Sequence, residues 1–264
     1  MMFWIGLFLG CAAAMSLGWA IAVRSGNNGW VDAVWTFTVG LLGLAALALD
    51  AAATELTARM TLVGAMVGLW SLRLGSHIVV RTARGKDDPR YARLKEEWGA
   101  AWRGRLFWFL QIQTVVAFLL VVAVVFASRR PGSLDLADAA GIAVFLVALF
   151  GEATADRQLA AFRSRPHARG AVCDLGLWGR SRHPNYFFEW LIWVAYLPVA
   201  TGFSLGHPAG LVALVAPVMM YVLLVHVSGI PPLEAHMMRS RGEAFAAYAR
   251  RVNAFWPGPR RAPG

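Results

Sequence analysis

The sequence predicts an all-α, polytopic membrane protein of seven transmembrane helices, with its N-terminus outside and its C-terminus cytoplasmic. Three observations carry that fold class. Apolar residues make up 58% of the 264 and charged residues only 15%, with a mean hydropathy of +0.53; a soluble chain carries about 45–50% and about 25%. The apolar residues gather into stretches of about 20, the length a helix needs to cross about 30 Å of hydrocarbon. Lysine and arginine fall very unevenly on alternate connections, which orients the stretches.

In chain order the spans are predicted at 2–23, 30–50, 60–80, 106–128, 136–155, 186–203 and 207–228. The first lacks a basic leading segment and a small-residue cleavage site, so it reads as a retained helix rather than a signal peptide. With the N-terminus outside, the inner segments 24–29, 81–105, 156–185 and 229–264 hold 21 of the 25 Lys and Arg. The outer segments hold Arg59, Arg129 and Arg130, and Arg73 lies within the third span. That asymmetry is the positive-inside signal, and it accounts for the net charge of +10 without nucleic acid. The outer connections 51–59, 129–135 and 204–206 are short, whereas loops 81–105 and 156–185 and tail 229–264 are long enough to order into a cytoplasmic cap. The chain thus reads as a single transmembrane domain, 1–264, with chemistry on the inner loops. Cys11 and Cys173 suggest neither a disulfide framework nor a metal site.

Ionisable residues inside spans are expensive and point to function by default. Asp32, flanked by Trp30 and Trp35, begins the second span; Arg73, His77 and Arg81 follow one another at helical spacing in the third. Glu152 and Asp156 repeat that spacing with opposite sign, and Glu189 lies just inside the sixth span. Interhelical ion pairs and a polar cavity open to the cytoplasm both require these residues, and composition does not choose between them.

The densest polar motif is "SRHPNYFFEW", residues 181–190. Pro184 suits the first turn of a helix, where its missing N–H removes no bond. The free amides of such a turn favour anions. Arg180 and Arg182 precede it, and Asn185 and Glu189 share a face at i and i+4. Those groups could hold a phosphate-bearing ligand and hydrogen-bond its amide or hydroxyls. A plain interfacial helix start with inner-side arginines reads the same way.

Five blocks give the chain a specific resemblance. They are "GWVDAVWTF" (29–37), "LRLGSHIVVRTARGKDDPRYARLKEEWG" (72–99), "GEATADRQLAAFR" (151–163), "GLWGRSRHPNYFFEWLIW" (176–193) and "SGIPPLE" with "RGEAFAAYARRVNAFWP" (228–257). In this order they resemble the DUF1295 family of bacterial membrane proteins, related to the C-terminal domain of steroid 5-alpha-reductases. The resemblance implies an integral, multi-pass protein of the bacterial inner membrane that transfers hydride from NADPH to a carbon–carbon double bond of a membrane lipid or steroid-like small molecule. It implies cofactor-binding roles for Arg81, Asp156, Arg163, Asn185 and Glu189, joined on the motif by Arg182, His183 and Tyr186 and, from the DUF1295 pattern, by Arg90 and Tyr91. Glu234 and Tyr248, in the last block, are expected to close over the cofactor, although an amphipathic tail helix on the headgroups explains that segment too.

The chain also departs from the steroid reductases. Their early Gln–Glu pair is absent, and Ile78 stands where they have a tyrosine three residues before the third-helix arginine. His77 or Asp32 could supply the proton instead, as a positioned general acid. The entry "RHPNY" also resembles the isoprenylcysteine carboxyl methyltransferases, which bind S-adenosylmethionine. That ligand carries no phosphate, so the inner arginines Arg81, Arg84, Arg90, Arg157, Arg163 and Arg182 suit NADPH better. A lipid-binding protein without catalysis is a third reading.

Overall fold

The computed structural model describes residues 1–85, 89–166, 170–204 and 206–261, with the side chains of all but 89 and 90. All regular structure among them is helical. The long elements are α1 (Met2–Ser25), α2 (Gly29–Ala53), α3 (Ala58–Arg84), α5 (Trp102–Ser128) and α6 (Leu136–Arg163). The short ones are α4 (Pro89–Trp98), α7 (Pro184–Val194), α8 (Tyr196–Thr201), α9 (Val215–Tyr221), α10 (Ile230–Arg241) and α11 (Glu243–Arg251). Among the described residues, six stretches are long and apolar enough to cross a membrane: α1, α2, α3, Tyr91–Ser128, α6 and Pro208–Arg241. At 1.5 Å per residue the long helices run about 36–42 Å, more than the hydrocarbon thickness. The chain is an integral, multi-pass membrane protein.

The sixth predicted span, 186–203, is divided at Ala195 into α7 and α8. Pro198 explains the break, because it has no N–H for the carbonyl of Val194 and its ring crowds that carbonyl. The last span is a composite of a 3-10 segment (Pro208–Leu214), α9 and a π-helical turn (Val222–Val227), which ends where Ser228 and Gly229 both donate to the Leu223 carbonyl at 2.8 and 3.1 Å.

The chain's contacts form two compact units. Unit 1 comprises Met1–Gly141 and Tyr196–Ala216, and unit 2 comprises Ile142–Ala195 and Pro217–Gly264. In unit 1, α2 and α3 run antiparallel with small residues at their crossing. A Cβ on Gly40 would lie 2.2 Å from Ser71 Oγ, and one on Gly75 2.5 Å from the Phe37 ring. Ser71 donates to the Thr36 carbonyl at 3.1 Å across the same seam. Close backbone approach of this kind is how helices associate where no hydrophobic force drives them together.

One end of unit 1 is closed by an arginine knot. Arg59 Nε and Nη2 donate to the two carboxylate oxygens of Asp138 at 3.0 and 2.9 Å. Its remaining hydrogens go to the carbonyls of Arg130, Gly132 (3.0 Å) and Ser133 (2.8 Å). Asp135 caps α6 by accepting from Ala137 N and Asp138 N, while Asp138 accepts from Asp135 N, a reciprocal capping box. Arg130 adds bonds to Asp135, Asp138 and the Val199 carbonyl.

In unit 2, α6 and α7 touch at Gly151, where a Cβ would lie 2.4 Å from the Phe188 ring. Trp178 donates its indole N–H to the Ala155 carbonyl at 2.9 Å, and its own carbonyl accepts from Tyr248 Oη at 2.6 Å. The loop before α7 is thereby held to α6 and to α11. Phe187, Trp190, Tyr221, Phe255 and Trp256 pack edge-to-face at 5.2–6.2 Å around the C-terminal segment.

Candidate functional site

Each unit gathers its own polar cluster from the residues the sequence singled out. In unit 1 the cluster forms where α2 begins and α3 ends. Asn27 Oδ1 accepts from Gly29 N at 3.0 Å, and Asn27 Nδ2 donates to the Thr82 carbonyl at 3.2 Å. Gly29 lets the two helix ends meet, since a Cβ there would lie 2.8 Å from Thr82 Oγ1. This junction puts Asp32, in the first turn of α2, 3.9 Å from Arg81 Nη2 in the last turn of α3.

Tyr91 joins them from α4, donating its phenolic hydrogen to Asp32 Oδ1 at 3.2 Å. Gln113 Nε2, from α5, donates in turn to the Tyr91 oxygen at 3.4 Å. Tyr91, Leu94 and Trp98 share one face of α4 at i, i+3 and i+7. That face is buried against Val31, Leu106 and Leu110, with Trp35, Trp102 and Phe109 around them. Tyr91 is therefore 5% exposed, while the Arg81 and Asp32 side chains keep 46% and 21%. His77 stands half-buried one turn before Arg81. The Arg90 side chain lies outside the described residues.

In unit 2 the motif around α7 divides into two functions. Arg182 Nε and Nη2 grip Glu234 of α10 bidentately at 2.7 and 3.1 Å, and its Nη1 donates to the carbonyls of Ala249 (3.1 Å) and Val252 (2.6 Å). His183, 3% exposed, places Nε2 2.9 Å from Glu234 Oε1 and stacks on Tyr186 with centroids 5.5 Å apart. A carboxylate already paired with Arg182 accepts, so Nε2 is the donor here. Burial pushes the His183 pKa below its ordinary value, against the opposing pull of the Glu234 carboxylate.

Beyond that anchor, Asn185 is half-buried in the first turn of α7, and its amide makes no hydrogen bond to another described residue. One turn on, Glu189 is 5% exposed and accepts from the Trp193 indole at 3.0 Å. Glu152, Asp156 and Arg163 follow one stripe of α6, grading from buried to half-buried to exposed. Gly151 and Phe188, which touch, are the chain neighbours of Glu152 and Glu189.

The structure thus brings Asp32, Arg81 and Tyr91 together in unit 1, and Arg182 and His183 together in unit 2. Tyr248 and Glu234 hold the fold of the tail rather than standing open. Sequence reading did not single out Gln113, whose signal was a polar residue in the apolar run "WFLQIQTVV". It also did not find the partner of Arg182, which lies 52 positions away.

The family model for DUF1295, described as a protein of unknown function, matches residues 18–252. The chain belongs to that family. No curated protein and no solved structure matches it.

Proposed function

We propose that this member of the DUF1295 family is an NADPH-dependent membrane reductase acting on a carbon–carbon double bond of a lipid, oriented with its arginine-rich connections in the cytoplasm. The observation that carries the reading is the amide of Asn185 at the entry of α7, which makes no hydrogen bond to another described residue and lies one turn from buried Glu189. A primary carboxamide donates two hydrogens and accepts at its oxygen, and an Asn beside a Glu supplies both complements. The exposed arginines of α6, in the same unit, also suit a dinucleotide. Arg163 and Arg157 are exposed on the last turns of α6, and a guanidinium fork matches phosphate oxygens bidentately. Arg182, by contrast, has its guanidinium committed to Glu234, Ala249 and Val252, so its role is to anchor the tail beneath the site.

Bound NADPH supplies a hydride, and the chain's own residues must supply the rest. Asn185 and Glu189 orient an amide, and Arg157 and Arg163 hold anionic oxygens. In unit 1 the proton-bearing atom is Tyr91 Oη, held between Asp32 and Gln113 in a nearly dry aromatic setting. We assign the proton to this Tyr91–Asp32 pair; His77, one turn from Arg81, is the other group that could carry it.

Titration of detergent-purified full-length protein with NADPH, NADH and S-adenosylmethionine tests the reading. NADPH is expected to bind saturably and selectively, with about tenfold or greater weakening in Asn185→Ala, the scale of a lost hydrogen bond to a polar ligand. With a membrane lipid extract added, NADPH oxidation is expected to stop in Tyr91→Phe while NADPH binding persists. Selective binding of S-adenosylmethionine would overturn the proposal and favour a methyltransferase.

A further inference from the structure

Unit 2 carries a second polar feature, made by residues outside the cofactor set. Between the loop that precedes α7 and the C-terminal segment lies an open cleft of about 340 Å³, lined by Gly176, Gly179, Arg180, Gly258, Pro259 and Arg260. Its two walls are fastened to each other. Gly258 N donates to the Arg180 carbonyl at 3.0 Å, Arg260 Nε donates to the Gly179 carbonyl at 3.3 Å, and Arg260 Nη2 donates to the Asp174 carbonyl. Glycine is required at the fastening, because a Cβ on Gly179 would lie 2.6 Å from Arg260 Nη2 and 2.7 Å from the Asp174 carbonyl oxygen.

The charge around this cleft is one-sided. Asp174 is approached by Arg251 at 3.7 Å and Arg260 at 3.9 Å, both longer than a hydrogen bond. Arg180 is exposed, and its side chain makes no hydrogen bond to another described residue. The guanidiniums of Arg251 and Arg260 therefore flank a single carboxylate, while that of Arg180, on the lining of the same cleft, makes no hydrogen bond to another described residue.

We propose that this cleft binds a phosphate ester, with the Arg180 fork holding its anionic oxygens and Arg260, whose Nε and Nη2 are bonded to the Gly179 and Asp174 carbonyls, adding its Nη1. Guanidinium forks pair with phosphate oxygens bidentately, and a water-accessible recess lets both reach one group. Its volume is at the lower end of small-ligand sites, about 300–1,000 Å³. The lining offers glycine backbone and one proline as apolar surface, so it recognises a head group and leaves an acyl chain outside. A soluble phosphate ester and the head group of an anionic phospholipid present the same chemistry, and basic pockets beside membrane helices take the second. The proposal is independent of the reductase reading, and Asn185→Ala is expected to leave it unchanged.

Two probes separate the sources, both applied to the full-length protein in detergent. Glycerol 3-phosphate is titrated by calorimetry, and dioleoylphosphatidylglycerol is titrated by native mass spectrometry against dioleoylphosphatidylcholine. Saturable binding of at least one anionic probe is expected, weakened about tenfold in Arg180→Gln with an unchanged unfolding midpoint. Binding of the lipid alone identifies a head-group site, and binding of glycerol 3-phosphate identifies a site for soluble esters. Should Arg180→Gln lower the midpoint, Arg180→Lys decides instead. It keeps the charge and loses the fork, so reduced affinity supports the proposal and wild-type affinity overturns it. The proposal also fails if neither probe binds saturably, or if Arg180→Gln, folded as the wild type, binds them equally well.

Discussion

Two Arg–Asp pairs stand at opposite ends of the α2–α3 hairpin, and they differ in nearly every respect. At one end Arg59 and Asp138 are 1% and 2% exposed, and all the N–H groups of Arg59 are engaged. At the other, Arg81 and Asp32 are 46% and 21% exposed and 3.9 Å apart. Arg59 and Arg81 begin and end the same helix, about 33 Å of helix apart. A buried guanidinium persists only when every hydrogen finds an acceptor, because an unmet charge in a low dielectric is too costly. The first pair therefore fixes three loop carbonyls and the start of α6, and has nothing left to offer a ligand. The second keeps its charges in reach of solvent and links them to a buried tyrosine. Burial with full satisfaction marks structure, whereas exposure beside a buried polar group marks a place where something can bind.

Removing Arg59 is the harshest test of that contrast. Arg59→Ala strips Asp138 of one partner and leaves the carbonyls of Arg130, Gly132 and Ser133 without donors. Breaking such a buried pair costs about 3–5 kcal/mol. The expected result is a large fall in unfolding midpoint and in the monodisperse fraction on size exclusion. Arg59→Lys is expected to restore little of it, since one ammonium with three hydrogens cannot replace a five-donor fork. A wild-type midpoint for Arg59→Ala would mean that the knot holds nothing.

The two pairs were not equally legible in the sequence. The spans followed from hydropathy, and the polar ends of α2 and α3 followed from helical spacing, so Asp32 and Arg81 stood out on local grounds. The capping box of α6 is also local, since Asp135 and Asp138 sit three apart in "SLDLAD". Nothing local, however, pairs Asp138 with Arg59, 79 positions earlier, or Arg182 with Glu234, 52 positions later. Long-range ion pairs are set by tertiary packing, and neither period nor motif encodes the partner. The division of the sixth predicted span was missed for a different reason. Hydropathy averages over Pro198, whereas the backbone at Val194 responds to that one residue.

A buried histidine carries the contrast into unit 2. His183 is packed between Arg182, Tyr186 and Glu234, with its pKa lowered chiefly by burial. Its neutral form is the one the fold prefers. An unfolded histidine titrates near about 6.5, so the stabilisation is complete above that pH and declines as pH falls toward the lower folded-state value. The unfolding midpoint is expected to drop between pH 7 and pH 5, and His183→Gln is expected to flatten that dependence. A midpoint that rises as pH falls would show that the imidazolium pairing with Glu234 outweighs burial.

The smallest effect on folding is expected where the site is most available. Arg81→Gln removes an exposed partner at 3.9 Å, and exposed pairs contribute about 0–1 kcal/mol once solvent screening is counted. Asp32 still accepts the Tyr91 hydroxyl in that variant, so the hydrogen bond of the buried tyrosine is kept. Denaturant midpoints for wild type and Arg81→Gln should therefore agree closely, and raising the salt concentration should narrow what difference remains. A loss comparable to that of Arg59→Ala, insensitive to salt, would place Arg81 among the structural arginines. The two ends of the hairpin would then be alike, and the argument for a ligand at the Asp32 end would have to rest on Tyr91 alone.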